Sequence, residues 1–95
     1  MGAFRDNTQA WRFEQTFVDP AGEPRLVFAD YEDQNGVCAI LHVEADPVLR
    51  GTGAARQFMQ ALIDYAREHR LRLLPLCGYA RAWFRRHPDQ GDVLA

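Results

Sequence analysis

Two glycines and two alanines stand at the predicted start of a helix in the middle of the chain. The run reads Arg50, Gly51, Thr52, Gly53, Ala54 and Ala55. Side chains this small leave the first backbone N–H groups of the helix unshielded, and a helix N-terminus combines unpaired donors with the positive end of the helix dipole. Arg50 adds a formal charge and a planar guanidinium that suits phosphate. The stretch predicts an anion-binding site, although a glycine-rich helix start that binds nothing has the same pattern.

A histidine and a glutamate follow each other at a spacing of two in a predicted strand, as His42 and Glu44. Residues two apart on a strand face the same side, and Cys38 is expected further back on that side. If this side faces a cofactor cleft, His42 is the candidate general base, because histidine titrates near neutral pH. The alternatives are a histidine hydrogen-bonded within the core, and a Glu44 that either orients His42 or ends the strand in water.

Cys77 stands at the end of the last predicted strand, directly before a predicted helix. A helix N-terminus favours the thiolate form of cysteine, so Cys77 is a candidate acid or a nucleophile that forms an acyl-enzyme. A plain buried cysteine is the alternative, and it is what we expect of Cys38. Tyr79, on the same helix, is either a functional hydroxyl or a packed core tyrosine with a bonded hydroxyl.

Arginines are concentrated on the last predicted helix, as Arg81, Arg85 and Arg86. Arg81 and Arg85 share a helix face because they are four residues apart. They either meet phosphate groups of a ligand or form a solvated face.

Alternating and helical hydrophobic patterns predict the elements that position these residues. The predicted order is β-β-β-α-β-α, with strands at 11–18, 25–32, 37–44 and 70–76 and helices at 53–69 and 78–86. The turn at Asp19–Glu23 and the Asn35-Gly36 pair indicate two hairpins, so the first three strands should be antiparallel. The strand, helix and strand that follow form a crossover, which makes the last two strands parallel. Residues 1–10 are expected to be a flexible segment or short cap before a single domain over 11–95.

Composition limits the function classes. The 95 residues are 47% hydrophobic and 25% charged, as in an ordinary globular domain. No apolar run approaches the length of a membrane span, so we expect a cytoplasmic protein without a membrane partner. All eleven basic residues are arginine, but the net charge of −2 and the lack of a long basic stripe argue against nucleic-acid binding. Two cysteines form no disulfide framework, and no metal site is expected.

The element order and the residues at its joints resemble the GNAT acyltransferase superfamily, in particular its small single-domain N-acetyltransferase branch. The resemblance covers residues 36–88 and is carried by four stretches: Leu41-His42-Val43-Glu44, Arg50-Gly51-Thr52-Gly53, Pro75-Leu76-Cys77-Gly78-Tyr79 and Trp83-Phe84-Arg85-Arg86-His87-Pro88. It implies a compact α/β (α+β) fold whose mixed sheet has antiparallel N-terminal strands and a parallel pair splayed around the cofactor. Two departures are Val48, where the superfamily has Gln or Arg, and the absence of the N-terminal strand and helices that build the acceptor pocket of larger members.

The resemblance also implies a cofactor and site residues. Acetyl-coenzyme A would be bound through its pyrophosphate at Arg50–Ala55, with Val43, Tyr79 and Arg85 as further cofactor-binding residues. Cys77 and His42 would be catalytic, and Tyr79 lies where larger relatives place a general-acid tyrosine. The implied activity is acetyl transfer to an amine of unknown identity by a monomer or weak homodimer. Two alternatives are a non-catalytic coenzyme A-binding or interaction module and a purely structural domain.

Overall fold

The computed structural model describes residues 2–95 and consists of one mixed sheet and two α-helices, whose buried residues belong to one hydrophobic core. The five strands are β1 (Arg5–Asn7), β2 (Arg12–Val18), β3 (Pro24–Gln34), β4 (Val37–Ala45) and β5 (Leu73–Pro75), and the two helices are α1 (Ala54–Glu68) and α2 (Gly78–Arg86). Short 3₁₀ helices at Pro47–Leu49 and Pro88–Val93 follow β4 and α2. The fold class predicted from the sequence, a mixed sheet with one parallel pair, is therefore confirmed.

The strands lie in the sheet in their order along the chain, from β1 to β5. The first four are antiparallel neighbours, whereas β4 and β5 are parallel and pair only over three residues, Cys38–Ile40 with Leu73–Pro75. Among the described residues no helix is long and apolar enough to cross a membrane.

The sequence analysis did not predict β1 within the first ten residues. Arg5 and Asn7 pair with β2, and Phe4 packs on the core, with its ring centroid 5.6 Å from that of Phe13. The Tyr31 hydroxyl donates a 2.5 Å hydrogen bond to the Asp6 carboxylate. The sequence predicts only a flexible segment or short cap here, because a three-residue polar strand has no hydrophobic alternation to detect.

The last strand is shorter than the predicted 70–76, because Arg70 and Leu71 close the helix, and Arg72 contributes only its carbonyl, which accepts from the Cys38 N–H at 2.8 Å. Arg70 has a φ of 57°, and the Leu71 N–H donates to the Ala66 carbonyl at 2.8 Å. This is the left-handed turn that commonly closes a helix, here without glycine. Pro75 ends β5, which is the last strand in the sheet order.

A β-bulge in β4 changes which side chains share a face. Asp30 pairs with His42 but Tyr31 pairs with Ile40, so Leu41 has no opposite residue. Cys38 lies in the core together with Ile40, Val43 and Ala45 beyond the bulge, while His42 is exposed. The prediction that Cys38 shares a face with His42 and Glu44 is therefore wrong, because one inserted residue reverses the alternation.

The core lies mainly between α1 and the sheet. The helix buries one stripe at helical spacing, which consists of Ala54, Phe58, Met59, Leu62, Ile63 and Ala66. Opposite them lie Phe13, Phe17, Val27 and Ala29 of β2 and β3. Burial of Cys38 confirms that it is a core residue and raises the pKa of its thiol to about 12.

Candidate functional site

A pocket of about 450 Å³ lies at the N-terminus of α1, and we call it the α1 pocket. It is lined by Val43, Ala45, Asp46, Pro47, Leu49, Arg50, Gly51, Gly53, Ala54, Ala55, Arg56 and Tyr79. Its walls therefore come from the end of β4, the connection to α1, the first turn of α1 and the start of α2.

The position of the pocket follows from the divergence of the two parallel strands. The Leu76 N–H still donates to the Ile40 carbonyl at 3.0 Å, but beyond Ile40 the residues of β4 pair only with β3. The bulge at Leu41 lies at this point of divergence. The far half of β4 therefore presents an unpaired backbone edge, within the described residues, beside the pocket.

Glycine is required on the approach to α1. Gly51 and Gly53 both have a φ of 82°, in the left-handed region that other residues adopt at a cost. Gly53 is the N-cap residue of α1 and provides no side-chain cap. The Thr52 hydroxyl donates to the Leu49 carbonyl at 2.6 Å and accepts from the Ala54 N–H at 3.2 Å. This turn fixes the backbone while the next N–H groups of the helix remain without a side-chain cap.

Positive charge is concentrated at the mouth of the pocket. Arg50 and Arg56 both line it, and α1 has no acidic residue in its first turn. A Cβ atom on Gly53 would lie 3.0 Å from Nη2 of Arg56, so this guanidinium extends back over the helix N-terminus. Arg56 was not predicted from the sequence. Because it lies three residues after Gly53 in a helix, it is in the first turn of α1, close to the helix N-terminus.

Tyr79 forms the opposite wall of the pocket and is 38% exposed. Partial burial raises the pKa of its phenol, while the neighbouring guanidinium groups of Arg86 and Arg56 act in the opposite direction. Tyr79 is thus a pocket residue and not a packed core tyrosine.

Two of the predicted cofactor residues lie outside the lining of the α1 pocket. Thr52 instead supports the turn through the two hydrogen bonds described above. Arg85 is exposed in the last turn of α2. Val43, Arg50, Gly51, Gly53, Ala54, Ala55 and Tyr79 are brought together in the pocket.

Cys77 is the N-cap residue of α2. Its Sγ accepts a hydrogen bond from the Ala80 N–H at 3.4 Å, and the side chain is partly buried. Cys77 does not line the α1 pocket, but it is two residues from Tyr79, which does. Its position before the helix matches the sequence prediction.

His42 is not in the pocket either, because it lies on the opposite side of β4 from Val43. Its side chain is 54% exposed, and Nε2 lies 3.0 Å from Oε1 of Glu44, which is 59% exposed. Glu44 therefore contacts His42, the first of the two roles that the sequence left open for it.

Comparison with known proteins agrees with this fold. The model of the family described as GCN5-related N-acetyl-transferase matches residues 21–93. The solution structure of a GCN5-like protein from Staphylococcus aureus superimposes with a TM-score of 0.69 at 20% sequence identity, covering 98% of this chain and 87% of that one. No curated protein sequence matches the chain significantly.

The chain belongs to the GCN5-related N-acetyltransferase family, because the family model covers more than half of it. The resemblance found in the sequence is confirmed at this level. At 20% identity the solved structure supports the fold alone.

Proposed function

We propose that this protein is an N-acetyltransferase that binds acetyl-coenzyme A in the α1 pocket and transfers the acetyl group to an amine. The observation that carries the proposal is the position of the pocket, where two parallel strands diverge beside a glycine-rich helix N-terminus and two arginines. Membership of an acetyltransferase family makes acetyl transfer the first activity to consider.

The residues at the pocket mouth fit a pyrophosphate. Backbone N–H groups at the start of α1 supply donors and the positive end of the helix dipole, as is common for phosphate groups. The small side chains of Ala54 and Ala55 leave these groups accessible, and Gly51, Thr52 and Gly53 shape the turn. Arg50 and Arg56 supply charge and planar donors.

The remainder of the pocket fits the arm of the cofactor. Val43 and Ala45 line it on the unpaired edge of β4, and Tyr79 lies across from them. An unpaired strand edge can bond amide groups of an extended ligand. We assign Val43 and Tyr79 to the arm, and Arg85, which lies outside the pocket lining, to the adenosine end.

Acetyl-coenzyme A, when bound, supplies an activated acetyl thioester. Transfer replaces a C–S bond with a C–N bond, so the amine loses one proton and the departing thiolate gains one. We assign His42 to the first proton, received at an imidazole nitrogen. We assign Cys77, whose sulfur lies at the start of α2 next to the pocket, to the second, or to a nucleophilic role.

A thiol-release assay with a panel of primary amines tests the transfer. Wild-type protein should release coenzyme A in proportion to the acetylated amine, and His42→Ala should lower kcat by about 100-fold, the usual contribution of a general base. Release that does not depend on the amine, or an unchanged rate in His42→Ala, would contradict the assignment.

A second candidate function is a coenzyme A-binding module without catalysis. It is favoured by the finding that neither His42 nor Cys77 lines the α1 pocket. Binding of acetyl-coenzyme A without thiol release, for every amine tested, would select this candidate.

A further inference from the structure

One face of the sheet is left open beyond the bulge in β4. Cys38, Ala39 and Ile40 are consecutive and all buried, so both faces of β4 are covered before the bulge, and both helices contact this strand. Beyond Leu41, Val43 and Ala45 pack against the core, whereas His42 and Glu44 lie on the other face and are both exposed.

The open face is a ladder of side chains across three strands. The register aligns Arg12 with Asp30 and His42 in one row, and Glu14 with Phe28 and Glu44 in the next. We call these six residues the open sheet face. Side chains in such rows are close enough to interact across strands.

Phe28 is the apolar centre of the open sheet face. The guanidinium carbon of Arg12 lies 3.8 Å from the centroid of its ring, and the imidazole of His42 lies 6.1 Å away on the other side. Arg12 is in turn held by Asp30, with Nε and Oδ1 2.9 Å apart. A half-buried aromatic ring fixed in this way offers contact area to an alkyl chain.

Two of the three acidic side chains on the open sheet face are paired with arginine, and the third, Glu44, is exposed. Arg12 neutralises Asp30, and Arg5 neutralises Glu14 through a hydrogen bond of 2.8 Å between Nε and Oε1. Within residues 2–95, Glu44 has only the neighbouring His42 as a side-chain partner. A protonated amine would gain an ion pair with Glu44, whereas an anion would be repelled.

The surrounding arginines limit how much positive charge the face can accept. Arg5 and Arg12 lie on the β1–β2 side, and the exposed Arg81 lies on α2, with its Nε 3.3 Å from the carbonyl oxygen of Pro75. A long polycation would meet all of these groups, whereas a small amine on Phe28 would lie near Arg12, whose charge is already paired with Asp30.

We propose that the acceptor is a small cationic aliphatic amine, of the diamine class, that docks on the open sheet face with its alkyl chain on Phe28 and an ammonium group at Glu44. The inference rests on the proposed function, because it names the acceptor of that reaction. It places the acceptor on the opposite side of β4 from Val43, so that donor and acceptor approach the strand from its two sides at the bulge.

Three acceptors with the same reacting group and chain length test the inference: 1,5-diaminopentane, pentylamine and 5-aminopentanoate. At saturating acetyl-coenzyme A, kcat/KM should fall in that order, by at least about tenfold from first to last. In Glu44→Gln, the ratio of kcat/KM between the first and the last acceptor should fall to about threefold, because the KM values become similar. The affinity for acetyl-coenzyme A should not change. Glu68→Gln removes the same charge from an exposed position on α1 and should leave the order intact.

The outcomes separate the two proposals. No calorimetric binding of acetyl-coenzyme A overturns the proposed function and this inference with it. Binding accompanied by equal use of the three amines, by an order that survives Glu44→Gln, or by faster transfer to a lysine peptide overturns the inference alone. If no amine is acetylated, NMR titration with 1,5-diaminopentane decides: shifts confined to Phe28, His42 and Glu44 support docking, and their absence overturns it.

Discussion

His42 and Val43 are adjacent in β4, yet their side chains lie on opposite sides of the sheet. Val43 lines the α1 pocket, and His42 is exposed beside Glu44 on the open sheet face. Adjacent residues of a strand face opposite sides, and the bulge at Leu41 places Val43, instead of His42, on the side of Cys38 and Ile40. The proposed cofactor and acceptor sites therefore lie on opposite faces of β4, and the proposed transfer takes place at the unpaired edge of this strand beside the bulge.

Gly53→Ala should weaken the binding of acetyl-coenzyme A by at least about tenfold. The new Cβ would meet Nη2 of Arg56 at 3.0 Å, and the φ of 82° is unfavourable for alanine. Gly36→Ala is the matched control, because Gly36 has a φ of 83° in a hairpin with open space around it. Both variants should lose about 1–2 kcal/mol of unfolding free energy. An equal loss of affinity in both would show that Gly53 acts only through stability.

Arg56→Gln should reduce the affinity for coenzyme A by about tenfold, because a hydrogen bond to a charged group contributes about 1.5–3 kcal/mol. The affinity of the variant should also depend less steeply on salt concentration. Isothermal calorimetry at two ionic strengths measures both effects.

Arg85→Gln is the comparison for that experiment, because Arg85 carries the same charge outside the pocket lining. It should change the affinity less than Arg56→Gln does. The reverse ranking would move the phosphate site from α1 toward the end of α2.

Cys77→Ala should remove acyl transfer while the affinity for acetyl-coenzyme A stays within about threefold, or roughly 0.65 kcal/mol. The variant also loses the cap of α2, at a cost of about 1 kcal/mol in unfolding free energy. Cys77→Ser keeps an N-cap acceptor and should restore stability without restoring full turnover. Wild-type turnover in Cys77→Ala would exclude Cys77 from the mechanism.

Asp19 should make stability sensitive to acid. The pKa of its carboxyl is lowered, first by the Glu23 backbone N–H and then by the Arg25 guanidinium. A lowered pKa in the folded state means that the carboxylate stabilises the fold above its ordinary pKa near 3.8, and that this contribution is lost as the pH falls through the lowered value. Urea denaturation should therefore show a large difference between wild type and Asp19→Asn at pH 7 and a small one near pH 2. A difference that stays constant with pH would contradict this.

The sequence predicts most elements of the fold because their hydrophobic periods are clear. Strands β2 and β3 alternate, β4 is apolar over most of its length, α1 carries an apolar stripe, and the predicted bounds of α2 match the structure. Strand β1 could not be predicted, because its stability comes from tertiary contacts such as Tyr31 with Asp6.

The candidate site was predicted less completely than the fold. The glycine-rich turn was found because Gly51 and Gly53 signal an unusual backbone. Arg56 was missed although its spacing of three from Gly53 indicates its place at the helix N-terminus, and the bulge at Leu41 was missed because it leaves no pattern in composition or period. The bulge places His42 on the side of β4 away from the α1 pocket. For the same reason, the prediction from strand alternation that Cys38 shares a face with His42 was wrong.

The central claim is that the α1 pocket binds acetyl-coenzyme A, and calorimetric titration of the purified protein tests it most directly. We expect one site with micromolar affinity for acetyl-coenzyme A, and weaker binding of 3′-dephospho-coenzyme A if arginines contact the 3′-phosphate. No heat and no thermal shift with either ligand would contradict the account and favour a purely structural domain.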